Sequence, residues 1–120
     1  MLDVEVEPDT GRYVVNGAHA TVDAGEAVRP DGIRNQIEGG ILRSPSWTGR
    51  EVVEVAGGQR GSFDWSTYPV LRFGDVPRQV DVQIIDHPGA PVLGVGEAAQ
   101  GTCRGGIRQC DQSGNRDAVA

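Results

Sequence analysis

Ile33, Ile37 and Ile41 recur at intervals of four and Leu42 adjoins the last, which puts them on one helical face. Inside that run stand Gly39 and Gly40, each costing about 1 kcal/mol relative to Ala in a helix interior. A helix that keeps two adjacent glycines has something pressed against its backbone, a neighbouring helix in the ordinary case and a ligand in the sharper one. Pro30-Asp31-Gly32 marks a turn or the first helical turn. Pro45 supplies no N–H and crowds the preceding turn, so it should end or kink the helix.

Extended segments flank this helix. Val4 and Val6 alternate with acids, Pro8-Asp9-Thr10-Gly11 supplies a turn, and Tyr13 to Val22 is rich in β-branched residues, which together predict a hairpin. A strand is expected from about Arg50 to Val55, with Gly57-Gly58 as its turn and Ser62 to Trp65 as the returning strand. Val80, Val82 and Ile84 alternate with Asp81 and Gln83, the pattern of a half-buried strand. The expected fold is α+β, with short antiparallel strands and one main helix.

The chain has 120 residues, 18 of them Gly, and six aromatic side chains, which suits one small domain. Its net charge is −6, every basic residue is Arg, and no basic run occurs, so nucleic acid and anionic membranes are poor partners. No apolar run approaches the roughly 20 residues that span a bilayer. Leu2 to Glu7 lack a basic start and an apolar stretch, so the chain as given is expected to be cytoplasmic. Cys103 and Cys110 have no neighbouring His, and four zinc ligands at close spacing are missing, so unpaired thiols are expected. His19 in a strand and His87 before Pro88 read as structural or solvated, without partners.

Two short motifs carry the chemistry. Gly94-Val95-Gly96-Glu97 sets a carboxylate directly after two glycines, which suits a general base in a tight, desolvating pocket as well as a plain turn with a solvated Glu. It is not a dinucleotide fingerprint, because Ala99 stands where a third glycine is needed. In Asn35-Gln36-Ile37-Glu38-Gly39-Gly40 an amide precedes the glycine pair. Gln36 offers two donors and an acceptor to a polar heterocycle approaching that thinned face, though a surface Gln would look the same.

Taken in order, Val22-Asp23-Ala24-Gly25, Arg29-Pro30-Asp31-Gly32, Arg34 to Ile41, Ser46-Trp47-Thr48, Tyr68 to Phe73 and Leu93 to Gly101 form a longer signature. It resembles the C-terminal end of molybdopterin-binding large subunits of the xanthine dehydrogenase and aldehyde oxidase superfamily, nearest the isoquinoline 1-oxidoreductase type. The resemblance covers about residues 1–101, and the fold it implies is part of a larger molybdenum-cofactor-binding domain.

The resemblance implies a hydroxylase that places water-derived oxygen on an electron-poor carbon of an N-heteroaromatic ring or an aldehyde. Electrons would leave through the iron–sulfur clusters of a [2Fe-2S] small subunit. Glu97 matches the family's catalytic glutamate, the base in that reaction. Gln36 matches the glutamine beside the molybdenum-molybdopterin cofactor, and Gly39, Gly40, Gly94 and Gly96 would admit pterin and substrate. Arg43 stands where relatives commonly have Gln, and Pro45 interrupts the helix, two departures from the pattern. The chain would need the missing N-terminal part of the large subunit and is expected to be inactive alone. The alternatives are a non-catalytic remnant or interaction domain that keeps the fold without cofactor, and an unrelated acidic binding module.

Residues 101–120 differ in kind. Ile107 and Val119 are their sizeable aliphatics, separated by Arg, Asp and Gly, so this tail is expected to be disordered. The family carries an Ala-rich helix at this point. Read one base later through GC-rich codons, the Gly, Cys and Arg codons of the tail become Ala codons, so the tail reads as an out-of-frame translation.

Overall fold

The computed structural model describes residues 1–113 and 117–119, with side-chain surroundings through residue 108. Strand β1, Leu2–Val6, buries Leu2, Val4 and Val6 and exposes Asp3 and Glu5, the alternation that a sheet with one wet face demands. It pairs antiparallel with β2, Tyr13–Asp23, as the hairpin pattern predicts. The register shifts between Asp3 and Val4, which leaves Asn16 as a bulge residue; its carbonyl accepts the Arg78 amide instead.

Helix α1 spans Pro30–Gly49 and buries Ile37 and Ile41 against the sheet. Pro45 neither ends nor breaks it. The helix runs four residues further, because Pro45 is itself buried and the turn around it is held from outside. The Tyr13 hydroxyl donates to the Pro45 carbonyl at 2.6 Å, and the Tyr13 ring fills the space that a side chain at Gly49 would need.

The next stretch is mostly turns. The expected strand over residues 50–55 shrinks to β3, Val55–Ala56, and its return is β4, Gln59–Arg60, rather than Ser62 to Trp65. Gly57 and Gly58 join them with φ of 59° and 76°, the left-handed pair that a two-residue hairpin requires. A 3-10 turn at Phe73–Asp75 leads into β5, Gln79–Ile85.

Strand β5 lies beside β2 and runs parallel to it, unlike the all-antiparallel expectation. The long path through α1 returns the chain to the same end of the sheet, and such a crossover yields a parallel neighbour. The α+β class is unchanged. Helix α2, Gln100–Ser113, and β6, Asp117–Val119, occupy the tail, with β6 completing the sheet order β5-β2-β1-β6.

The helix at 100–113 replaces the expected disorder over those residues. Ala99, Cys103 and Ile107 fall at intervals of four and are all buried in the core shared with β1 and α1. Apolar burial along that one stripe offsets the ordering cost of a polar segment. Residues 114–116 and 120, also assigned to the tail, lie outside the described residues.

Candidate functional site

Once Ile33, Ile37 and Ile41 turn to the sheet, the face of α1 carrying Gln36, Gly40 and Ser44 is left for something else. These residues are themselves spaced by four, and they grip one segment, residues 96–100, in order. The Gln36 amide nitrogen donates to the Gly96 carbonyl at 3.2 Å. A Cβ on Gly40 would stand 3.1 Å from the Ala99 Cβ, so the bare backbone there is what lets the start of α2 approach. The buried Ser44 hydroxyl lies 2.9 Å from the Gly40 carbonyl and 3.0 Å from that of Gln100, sharing its single proton between them.

The two motifs that are 60 residues apart in sequence therefore meet. Glu97 sits between the Gly96 and Ala99 contacts, with its backbone carbonyl accepting the Gln100 amide at 3.2 Å. Its carboxylate is exposed, so of the two readings of the motif this chain by itself builds the turn with a solvated Glu and not the tight desolvating pocket. The glycines divide in the same way. Gly40 is occupied by helix packing, whereas a Cβ on Gly39 or Gly94 would meet nothing within 4 Å, and one on Gly96 only the Gln36 nitrogen at 3.9 Å. Among the described residues, the amides of residues 94–97 donate to no protein acceptor. What results is an open, glycine-bare ledge with free donors beside one carboxylate.

The one sequence signal for Ser44 is its spacing of four from Gly40. Arg43, noted as a departure, does not add a free charge: its guanidinium lies 3.1 Å from the Glu51 carboxylate. Burial alone would push the Glu51 carboxyl up, but the Ser46 and Tyr68 hydroxyls and Arg43 together hold it below the usual range. The same Ser46 oxygen accepts the Leu71 amide at 3.0 Å, so Ser46 and Glu51 tie the stretch after α1 back onto the helix.

Both histidines have partners, contrary to expectation. His19 Nδ1 lies 3.1 Å from an Asp81 oxygen, across the β2–β5 pair, and His87 Nε2 lies 3.0 Å from Asp23. The Gly25 amide, followed by His87, holds the Asp23 carboxyl below its usual value. The His87–Asp23 contact, with the His87 and Leu93 amides donating to the Gly25 and Ala24 carbonyls, fastens the 86–93 segment over Gly25, whose positive φ and contact with the Pro91 carbonyl leave no room for a side chain. Cys103 is a free, buried thiol pushed up by that burial, and the side chain of Cys110 lies outside the described residues. Among the described residues no cluster of His, Cys, Asp or Glu could hold a metal ion directly. No helix is long and apolar enough to cross a membrane among those residues.

Residues 1–77 match the family model of the molybdopterin cofactor-binding domain. A nicotinate dehydrogenase component from Pseudomonas putida is 35% identical over 99 residues, which is 82% of this chain and 8% of that protein. The beta subunit of isoquinoline 1-oxidoreductase from Brevundimonas diminuta is 35% identical over 83 residues, 69% of this chain and 10% of that protein. The chain thus spans about a tenth or less of the length of these relatives. A crystal structure of a Cu,Mo-CO dehydrogenase in its carbon monoxide reduced state shares the fold, with a TM-score of 0.69 at 20% identity over 88% of this chain and 14% of that one.

Proposed function

The chain belongs to the molybdopterin cofactor-binding family of the xanthine dehydrogenase type, and from that premise we propose that it is the C-terminal portion of a molybdenum hydroxylase large subunit. The observation that carries this reading is the Gln36–Gly96 hydrogen bond, which assembles a bare-backbone ledge beside Glu97. A molybdopterin cofactor is polar and rich in hydrogen-bond acceptors. The ledge fits such a group: Gly39, Gly94 and Gly96 leave it room, and the amides of residues 94–97 are available as donors.

When bound, the molybdenum cofactor supplies the redox chemistry that puts water-derived oxygen on the carbon of an N-heteroaromatic ring or an aldehyde. The chain's own residues do the rest. Gln36 fixes the loop and faces the cofactor, Gly39, Gly94 and Gly96 admit it, and Gly40 acts indirectly by letting α2 brace the loop. Glu97 accepts a proton at its carboxylate during the attack on substrate, and becomes an effective base once a covering wall excludes water. That wall, in this reading, belongs to the preceding part of the large subunit, and a [2Fe-2S] subunit carries the electrons away. The chain alone is inactive.

The tail from about residue 101 is proposed to be an out-of-frame translation. Supporting this, α2 carries Gly105 and Gly106 in its interior, each costing about 1 kcal/mol relative to Ala. Sequencing the locus decides it: codons that give no Ala-rich helix in the next frame reject the idea.

Co-expression with the preceding large-subunit portion and the iron–sulfur subunit tests the main reading. The expected result is bound molybdenum and dye reduction that depends on Glu97. Molybdenum bound equally well without this chain rejects its cofactor role. The exposure of Glu97 favours one alternative, a remnant that keeps the fold without cofactor, and an assembled complex free of molybdenum would select it.

A further inference from the structure

Residues 52–73 form an arm, rooted at the end of α1 through Tyr68 and Leu71, whose large apolar side chains are mostly left exposed. The radius of gyration is 16.7 Å and the longest extent 57 Å, against about 13.5 Å for the radius of a compact chain of this length. Three of the six aromatic side chains lie on this arm in solvent: Phe63 is 69% exposed, Trp65 74% and Phe73 96%. Val52, Val53 and Val55 add to them. Isolated exposed aliphatics are ordinary, but a concentration of large aromatics on one projection marks an interaction surface.

The tip is built to hold its shape. Asp64 accepts the amides of Ser66 and Thr67 at 3.0 Å each, and their hydroxyls at 2.7 and 2.9 Å. The Thr67 hydroxyl oxygen in turn accepts the Phe63 and Asp64 amides. Those bonds hold the Asp64 carboxyl down at about 2. Phe63 and Trp65, flanking Asp64, line a shallow cleft of about 320 Å³ with Arg60 and Tyr68. At the arm's root, Tyr68 donates to Glu51 at 2.8 Å. Aromatic anchors on a pre-ordered turn lose little freedom when they dock.

We propose that this arm docks into an apolar groove on the polypeptide that precedes this chain in the intact large subunit, with Phe63, Trp65 and Phe73 as the anchors. The inference rests on the fragment reading above. The matching relatives have roughly seven to ten times this chain's length, so most of their surface is available to receive the arm. The family match over residues 1–77 contains the whole arm, so it belongs to the family's domain rather than to the aberrant tail. Charge selects against a second copy as the occupant. Residues 50–78 carry four Arg and four acids and are neutral, whereas the rest of residues 1–100 carries −7, so pairing two copies brings two acidic bodies together.

The test uses the complete chain in place of the aligned 99 residues of the Pseudomonas putida nicotinate dehydrogenase relative, with hydroxyl-radical footprinting of Phe63, Trp65 and Phe73. Oxidation of all three should be at least fivefold slower in the chimera than in the free chain. A Phe63→Ala/Trp65→Ala/Phe73→Ala variant should lower the melting temperature of the chimera while leaving that of the free chain unchanged. A folded chimera in which the three rings oxidise as in the free chain overturns the docking surface and leaves the fragment reading standing. A chimera that fails to fold while the free chain folds rejects the fragment reading, and the proposal with it. A free chain that sediments as a dimer, and becomes monomeric in the triple variant, identifies a second copy as the occupant and overturns the proposal.

Discussion

The Gln36 side-chain nitrogen lies 3.2 Å from the Gly96 carbonyl oxygen and thereby fixes the residue just before Glu97. One amide on a helix and one carbonyl in a distant loop define where the carboxylate stands. In the assembled subunit, Glu97→Gln should retain molybdenum and lose at least about 100-fold in turnover, the lower end of what a general base contributes. Gln36→Ala should lower molybdenum content instead. Metal analysis alongside steady-state dye reduction separates the two effects.

Gly39 and Gly40 should respond oppositely to alanine. Gly39 has open space, so Gly39→Ala should stabilise the free chain by up to about 1 kcal/mol through helix propensity. At Gly40 the new methyl meets Ala99 at 3.1 Å, and crowding cancels or reverses that gain. Urea unfolding of the two variants should place Gly39→Ala above Gly40→Ala. In the assembled enzyme the order should invert for cofactor loading if the open space at Gly39 is what admits the cofactor, as proposed.

Ile107 tests whether α2 is part of the cooperative fold. It is 2% exposed in the shared core, so Ile107→Ala should cost at least about 2 kcal/mol. An unchanged urea midpoint would mean that the tail is an idle appendage.

Tyr13 and Gly49 hold the end of α1 around Pro45. A methyl at Gly49 collides with the Tyr13 ring, so Gly49→Ala should destabilise by about 1–3 kcal/mol. Tyr13→Phe removes only the bond to the Pro45 carbonyl, a loss of about 1 kcal/mol. Calorimetry of the double variant should give less than the sum, since a ring that has lost its hydroxyl, and with it the bond to Pro45, can yield to the methyl.

Asp64 sets a pH dependence. Its folded value of about 2 lies below the ordinary 3.8. Between those values the unfolded turn binds more protons than the folded one, so stability rises with pH through this window. The contribution is complete above about 4 and lost as pH falls through about 2. Amide exchange at Ser66 and Thr67 should accelerate over that range in the native chain. In Asp64→Asn it should be fast and nearly pH-independent once intrinsic exchange is subtracted.

Local pattern was enough for β1, β2, the Gly57-Gly58 turn, β5 and most of α1, because alternation and spacing by four are written in neighbouring residues. The ordered motifs likewise pointed to the family without any contact being known. Three things were decided by the tertiary structure. Pro45 stays inside a helix because Tyr13, 32 residues away, supports that turn. The tail up to residue 113 is helical because Ala99, Cys103 and Ile107 find α1 and β1 to pack on. The Gln36, Gly40 and Ser44 stripe becomes a clamp on residues 96–100 only when α2 arrives, since hydrogen bonds and close backbone approach need both partners in space. Sequence periodicity determines which faces must be covered, while the folded chain determines what covers them, leaving Glu97 and the 52–73 arm open.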